Sequence, residues 1–551
     1  MFTRISQSGG RSYLQLVESF RNDAGQPRQR VVANLGRVDQ LTPKDLDPLI
    51  NGLDRALGRQ RNAAPVVEFV TAKSLGDVYA LHALWKALGL ADALRRSLRS
   101  SRRRFDAEAL IRAMVFNRLC EPESKLGVLR WLGTVAMPDM PEAVSHDHLL
   151  RAMDALIDRA EAVESAVAQQ LRPLLDDAVS VVFYDLTTIR IAGSGEVTDD
   201  VRRYGLSKDT GGIARQFVLG VIQTAEGLPI AHQVHAGNVG EVTTLLPVIE
   251  QTIARYALKR VVLVADRGLL SLDNLAAIEA LKTHAGEPVE FILAVPGRRY
   301  GEFAEVARAT AITQGLGETT WQGRRLVIAH DDMRASEQRA ARERTIATLE
   351  AEAERIAKRL DAQDQGTPQP GRRSNDRRAY LRFSEQVKAE RLSRIVKADL
   401  TAERFSYDID EDAKSDAEVF DGKLLLVTNT AFAASDVVER YKALADIERG
   451  FRVLKSDIEI APVHHRLPER IRAHALSCFL ALIMHRVLRS RLRASGSPLS
   501  PTRALTLLRQ VQQVHVTTDP KPCLRTSHIT APQLELFREV QLTAPTDSST
   551  L

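Results

Sequence analysis

Two runs of buried-strand character, each closed by an aspartate, constrain this chain more than any other feature. The first is Val179-Ser-Val-Val-Phe-Tyr-Asp185 and the second is Val261-Val-Leu-Val-Ala-Asp266. Apolar runs of this length without alternation mark strands covered on both faces, so the chain needs a sheet with helices on each side. An ionised carboxylate ending such a strand is costly to desolvate unless it is paired, hydrogen-bonded or holding a metal.

The elements around these runs fall in a distinctive order. After the first come the strands Gln216–Thr224 and Gly227–His235, joined through Ala225-Glu-Gly227. A helix from about Glu241, the Asp266 strand, a further helix and a strand ending at Pro296 follow. Three strands, then helix, strand, helix, strand is not the strict alternation of a doubly wound sheet. The core is left short of its last helices, which the pattern places at about 434–456 and 468–493. Between them, residues 298–430 bring different material: a charged helix from Met333 to about Leu360, a Pro/Gly/Arg segment from Gln365, and strands Arg324–His330 and Lys423–Thr428. Glu and Lys/Arg at four-residue spacing support the charged helix.

The predicted organisation is a small β-hairpin unit at 1–60, a helical and DNA-binding region at 74–176 and a first core segment at 179–297. An inserted domain with a charged helix and β component follows at 298–430, then core completion with C-terminal helices at 431–515 and a fraying tail at 516–551. In the helical region, Asn117-Arg-Leu-Cys-Glu-Pro-Glu-Ser-Lys125 reads as a helix stopped before Pro122 and restarted at Ser124. DNA-binding helix-turn-helix units use this pattern, and so do ordinary packing helices.

A chain of 551 residues that is 44% hydrophobic can bury two to four domain cores. There is no uninterrupted run of eighteen apolar residues and no apolar signal core at the start, so a cytoplasmic location is expected. Cys120, Cys478 and Cys523 are too scattered for a zinc pattern and read as reduced thiols. Net charge is +6 and the isoelectric point near 9.2, which permits a nucleic-acid partner without requiring one. The densest basic cluster runs Arg95-Arg96-Ser-Leu-Arg99-Ser-Ser-Arg102-Arg103-Arg104. It reads as phosphate contact or as a solvated helix end and loop.

The late helix adds a third carboxylate. At about 100° per residue, Tyr441, Glu448 and Lys455 project within roughly 40° of one another, with Arg452 on the same stripe. Leu444, Ile447, Phe451 and Leu454 form the adjoining apolar stripe. Taken alone, this is an amphipathic helix with a surface Glu448 to Arg452 pair worth about 0.3–0.5 kcal/mol.

Taken with Asp185 and Asp266, the helix resembles that of the DDE transposases of bacterial insertion sequences, in the branch marked by Tyr-x2-Arg-x3-Glu-x6-Lys. Tyr441, Glu448 and Lys455 match that spacing, and Leu444 stands where the motif has Arg. The likeness extends to Ala265-Asp266-Arg267-Gly268, Gly237-Asn238, the run from Asp421 to Asn429, the opening hairpins and Leu467 to His474. It implies an α/β fold: an RNase H-like core, a mixed sheet flanked by helices, interrupted between its second Asp and its Glu. It also implies two Mg²⁺ ions, with Mn²⁺ as a substitute, Asp185 bridging both and Asp266 and Glu448 each supporting one.

Lys455, Tyr441 and Arg452 would then hold phosphates beside the cut. Arg267 would do the same or pair with Asp266, and Arg102, Arg103 and Arg104 would contact DNA further out. The implied partners are double-stranded element ends and target DNA and a second copy of the chain in the DNA complex, without membrane or small-molecule cofactor. The implied activity is cleavage at terminal inverted repeats and strand transfer. An RNase H-like nuclease or resolvase without strand transfer, and a catalytically silent DNA-binding repressor, are the alternatives.

Other residues read as structural. His232 and His235 suit a surface or satisfied polar pair, His464 and His465 a loop surface, and Trp85 and Trp131 the core. Asp176-Asp177 and Asp199-Asp200 suit solvated positions, and Thr187 and Thr188 shape the first strand's end.

Overall fold

The computed structural model describes residues 1–58, 67–100, 104–174, 180–193, 200–207, 211–239, 241–265, 272–367, 374–444, 450–518 and 521–546. The chain divides into two compact units, one of Met1–Ala72 with Val514–Arg525 and one of Lys73–Gln513 with Thr526–Leu551.

In the first unit, β1 (Phe2–Ser8), β2 (Arg11–Arg21) and β3 (Pro27–Arg37) form an antiparallel meander, as the hairpin pattern predicts. Helix α1 (Pro43–Ala56) follows, its start fixed by the Asp45 carboxylate, which accepts from the Thr42 N–H at 2.9 Å and the Thr42 hydroxyl at 2.7 Å. β4 (Val67–Ser74) joins a second three-stranded sheet with Gln512–Thr518 and Lys521–Thr526. Among the described residues, the stretch expected as a tail contains regular elements. In the second unit, Pro532 sits in the first turn of the helix Ala531–Glu539, where a missing N–H costs nothing, and Leu536, Phe537 and Val540 are buried.

The second unit opens with helices α2 (Gly76–Ala87), α3 (Leu90–Ser97), α4 (Ala107–Cys120), α5 (Lys125–Thr134), α6 (His146–Asp158) and α7 (Ala160–Leu171). α4 is capped by Asp106 and buried nearly all round, with Trp85 of α2 packed against its Phe116. The break before Pro122 is present: α4 stops at Cys120, and Ser124 caps α5 by accepting from the Gly127 N–H at 3.1 Å. These helices share one hydrophobic core with the sheet.

The sheet is mixed. β5 (Ser180–Arg190) pairs antiparallel with β7 (Ile213–Thr224), which also borders β6 (Arg203–Leu206) and β8 (Pro229–Ala236). After α8 (Glu241–Tyr256), β9 (Val261–Ala265) lies parallel to β5; after α9 (Leu272–Ala280), β10 (Glu290–Ala294) lies parallel to β9. The five principal strands thus stand in the order third, second, first, fourth, fifth, which fits the RNase H-like core.

The segment at 298–430 both extends this sheet and leaves it. It contains α10 (Ala304–Ala309), β11 (Leu316–Trp321), β12 (Arg324–His330), α11 (Asp332–Asp364), α12 (Asp376–Ala389), β13 (Val396–Asp399), β14 (Ser406–Ile409), α13 (Glu411–Glu418) and β15 (Lys423–Thr428). β15 pairs with β10, β12 with β15 and β11 with β12, so the core sheet continues through the interruption. The long charged helix α11, with α12 and the β13–β14 pair, builds its own core around Leu349, Phe383 and Phe405.

Helix α14 (Ala434–Lys442) and a long core helix (Pro468–Ala494) complete the unit. The core helix carries a window of mean hydropathy 1.4, apolar and long enough to span a bilayer, yet 94% of that window is buried inside the protein. It packs on α4, α6 and β8.

Candidate active site

Alternation along β5 decides where Asp185 points. Val181 and Phe183 pack with Val262 and Val264 in one cluster, whereas Val182, Tyr184 and Leu186 belong to the larger core. Asp185 is in phase with Val181 and Phe183 and so shares their face of the sheet. It is half-buried, stands opposite Val221 of β7, and its Oδ1 accepts from the Leu186 N–H at 2.7 Å. On the other side, Ala265 ends β9 directly across from Tyr184. Thr187 and Thr188, two and three residues beyond Asp185 on β5, are buried.

Asp266 and Arg267, next in sequence after Ala265, lie outside the described residues, as do Glu448, Arg102 and Arg103. Among the described residues no three His, Cys, Asp or Glu side chains gather as a metal-binding group.

The chain on either side of Glu448 is tied to the same sheet. α14 buries Ala434, Val437 and Val438 against the face that carries Val181 and Phe183, and Leu444 is 8% exposed in that cluster. The position where the motif has Arg is therefore a core position here, and an apolar residue suits it. Tyr441 is half-buried and packs against the same cluster. Beyond residue 449, Gly450 comes close to two buried side chains: a Cβ there would lie 2.8 Å from Gln223 Nε2 and 2.9 Å from Arg486 Nη2. Gln223 is fully buried two residues along β7 from Val221, and neither its Nε2 nor its Oε1 has a partner among the described residues. Sequence reasoning missed this contact, whose only local signal is the glycine.

The uniform helical stripe expected through Lys455 needs correction. Val453–Asp457 is a π-helical turn, with the Ile458 N–H bonded to the Val453 carbonyl at 2.9 Å. The 100° step therefore does not run through to Lys455. Arg452 is exposed and Lys455 half-buried. The apolar stripe is shared between two clusters, Leu444 in one and Phe451 and Leu454 in the other.

Elsewhere the site candidates divide. Arg104 is exposed. Arg95, in the same basic run, instead lies 3.1 Å from buried Glu108, which also accepts from Trp85 Nε1 and Arg112 Nε. His232 is not a surface residue: it stacks on Phe479 at 4.6 Å and stands 3.6 Å from Glu164 Oε1, and burial lowers its pKa. His464 is exposed as expected, but His465 is half-buried, its pKa pushed down to about 4 by burial and by the neighbouring Lys125 and Arg470 charges. Trp85 and Trp131 are core residues.

A mixed sheet of this order, flanked by helices and with a carboxylate on its central strand, makes this an α/β protein whose fold fits an RNase H-like core. Sequence comparison is more specific: the family described as "Transposase DDE domain" matches residues 179–484, and "IS1634 family transposase, N-terminal domain" matches residues 2–65. The first match covers more than half of the chain, which therefore belongs to the DDE transposase family. Comparison with curated proteins finds no match. Solved structures with a loose likeness include the piggyBac transposase synaptic complex with hairpin DNA, at 8% identity and a TM-score of 0.39 over 79% of each chain. Another is the Drosophila P element transposase strand transfer complex, at 11% identity and a TM-score of 0.21, over 77% of this chain and 97% of that one.

Proposed function

We propose that this transposase binds the terminal inverted repeats of its insertion sequence, cleaves them, and joins the 3′ ends to target DNA with divalent-metal assistance. The observation that supports this most is the placing of Asp185 on the sheet face that α14 covers, so that the segment carrying Glu448 is anchored on both sides to strands next to Asp185.

Asp185 suits a hard cation. It is a half-buried carboxylate whose Oδ1 already accepts a backbone N–H, and carboxylate oxygens are the ligands such a cation prefers. Asp185, Asp266 and Glu448 would hold the two Mg²⁺ or Mn²⁺ ions. When bound, such ions activate a water or 3′-hydroxyl and stabilise the leaving oxygen. The protein's own side chains orient the DNA: Tyr441, Arg452 and Lys455 near the cut, Arg267 beside Asp266, and Arg102, Arg103 and Arg104 further along the duplex. Two copies of the chain would hold two ends together.

The test is a nicking and joining assay with duplexes that carry the inverted repeats flanking the gene. Mg²⁺-dependent nicking followed by joining is the expected result. Nicking without joining would make the protein a nuclease or resolvase, and specific binding without nicking would make it a repressor.

A further inference from the structure

A cavity of about 580 Å³ opens between the α4–α5 turn and the loop that leads into the core helix. Two of the cations lining it are buried without a carboxylate partner among the described residues. Arg118, 7% exposed, donates only to carbonyls, those of Glu459 at 3.1 Å, Ile458 at 3.4 Å and Glu123. Lys125, also 7% exposed, has neither a hydrogen bond nor an ion pair among them. Among the described residues, the titratable groups packed around Lys125 supply no negative charge: His465 and His474 are held neutral by burial, and burial keeps the Cys478 thiol protonated. Of the carboxylates at the rim, Glu123 lies 3.7 Å from Arg130 and Glu459 is exposed. Arg470, on the far wall, is already matched by Asp154 through two hydrogen bonds.

Unpaired buried cations are expensive, and an anion that entered this cavity would relieve them. α5 opens on the cavity: the Glu123 carboxylate takes the Ser124 N–H at 3.3 Å, while the N–H groups of Lys125 and Leu126 have no acceptor within the helix.

We infer that this cavity receives a backbone phosphate of the DNA, with Lys125 as its charge partner and Arg118 behind it. The inference rests on the transposase reading. The site is separate from the carboxylate centre. Val463, on the cavity wall, bridges to Ile191, the residue that follows β5 and six beyond Asp185. At about 3.3 Å per residue the separation is roughly 20 Å, or about six phosphates along one strand at 3.4 Å each.

The experiment uses the full-length chain as wild type, Lys125→Met and Lys125→Arg. One arm measures affinity for a duplex bearing the element end, in Ca²⁺, as a function of salt. The other measures thermal stabilisation by millimolar sulfate against chloride at equal ionic strength. Lys125→Met should bind the duplex about tenfold more weakly, with the salt slope reduced by about 0.9, and Lys125→Arg should keep most of the affinity. Sulfate should stabilise the wild type more than Lys125→Met.

Unchanged duplex affinity and slope in Lys125→Met would overturn the inference. If the sulfate difference persisted in that case, the cavity would take a free anion rather than DNA. A wild-type chain that bound no DNA would remove the functional reading and the DNA source together, while the sulfate arm would still report on the cavity.

Discussion

Ala265 lies directly across the parallel ladder from Tyr184, so the last residue of β9 is level with the residue before Asp185. Asp185 follows Tyr184 and Asp266 follows Ala265 in sequence, Asp266 itself lying outside the described residues. If these act as metal ligands with Glu448, Asp185→Asn, Asp266→Asn and Glu448→Gln should each lower Mg²⁺-dependent cleavage by at least about a thousandfold while specific DNA binding stays near wild type. Near-normal cleavage by any folded variant would remove that residue from the ligand set.

The burial of Leu444 bears on the motif position it occupies. Leu444→Arg should destabilise the protein by about 2–4 kcal/mol, because a charge would enter the cluster around Val437 and Val438. It should not tighten DNA binding. Exposed Arg452 is the better candidate for a phosphate contact, so Arg452→Ala should weaken affinity for a pre-nicked end in Ca²⁺. Equal binding with slower cleavage would leave Arg452 as an orienting partner of the carboxylate instead.

Gly450 allows the chain after Glu448 to approach Gln223 and Arg486. Gly450→Ala should cost about 1–3 kcal/mol by overpacking and slow cleavage more than it weakens binding. Adding Gln223→Ala should restore much of the loss by opening the space. A double variant no better than the single would show that the glycine matters for another reason.

The basic run before α4 should split by role. Arg104→Ala should reduce the salt slope of DNA binding by up to about 0.9. Arg95→Ala should leave that slope unchanged and cost about 1 kcal/mol of stability or less, since Arg95 is a partly solvated second partner of Glu108, which buried Arg112 also pairs. Equal slopes for Arg104→Ala and wild type would assign Arg104 to the solvated surface.

Burial lowers the Lys125 pKa from 10.5 to about 7 in the folded chain. Between those values the unfolded chain binds the extra proton, so the contribution to stability is complete above about pH 10.5 and is lost as pH falls through about 7. Lys125→Met should therefore be more stable than wild type near and below neutrality, by an order of a few kcal/mol, with the gap closing as pH rises towards 10. Denaturant unfolding of both proteins at several pH values measures this. A gap independent of pH would mean that Lys125 is not desolvated.

Much of the core was legible because apolar runs report burial locally. The strands of β5, β7, β8, β9 and β10 and the break before Pro122 all carry their signal within a few residues. Pairing partners do not: Lys423–Thr428 looks like a strand, but nothing nearby says that it will border β10. The same limit hid the role of Arg95, whose acid sits on α4, and of Lys125, because a lysine in a polar turn reads as exposed until the loop from Glu459 to Leu467 closes over it. Leu444 looked like a departure from a pattern until the sheet face beneath it was visible. Asp266 and Glu448 remain expectations from the sequence.

The pairing of Ile292 with Thr428 also sets a clock for synthesis. At about 5–20 residues per second, a ribosome needs on the order of ten seconds to carry the chain from β10 to the strand that covers its edge. Throughout that interval a hydrophobic strand edge at the centre of the sheet is open to other chains. Newly made protein should be most prone to aggregate in this window, and a nascent chain arrested before β15 should be the form that chaperones hold most firmly.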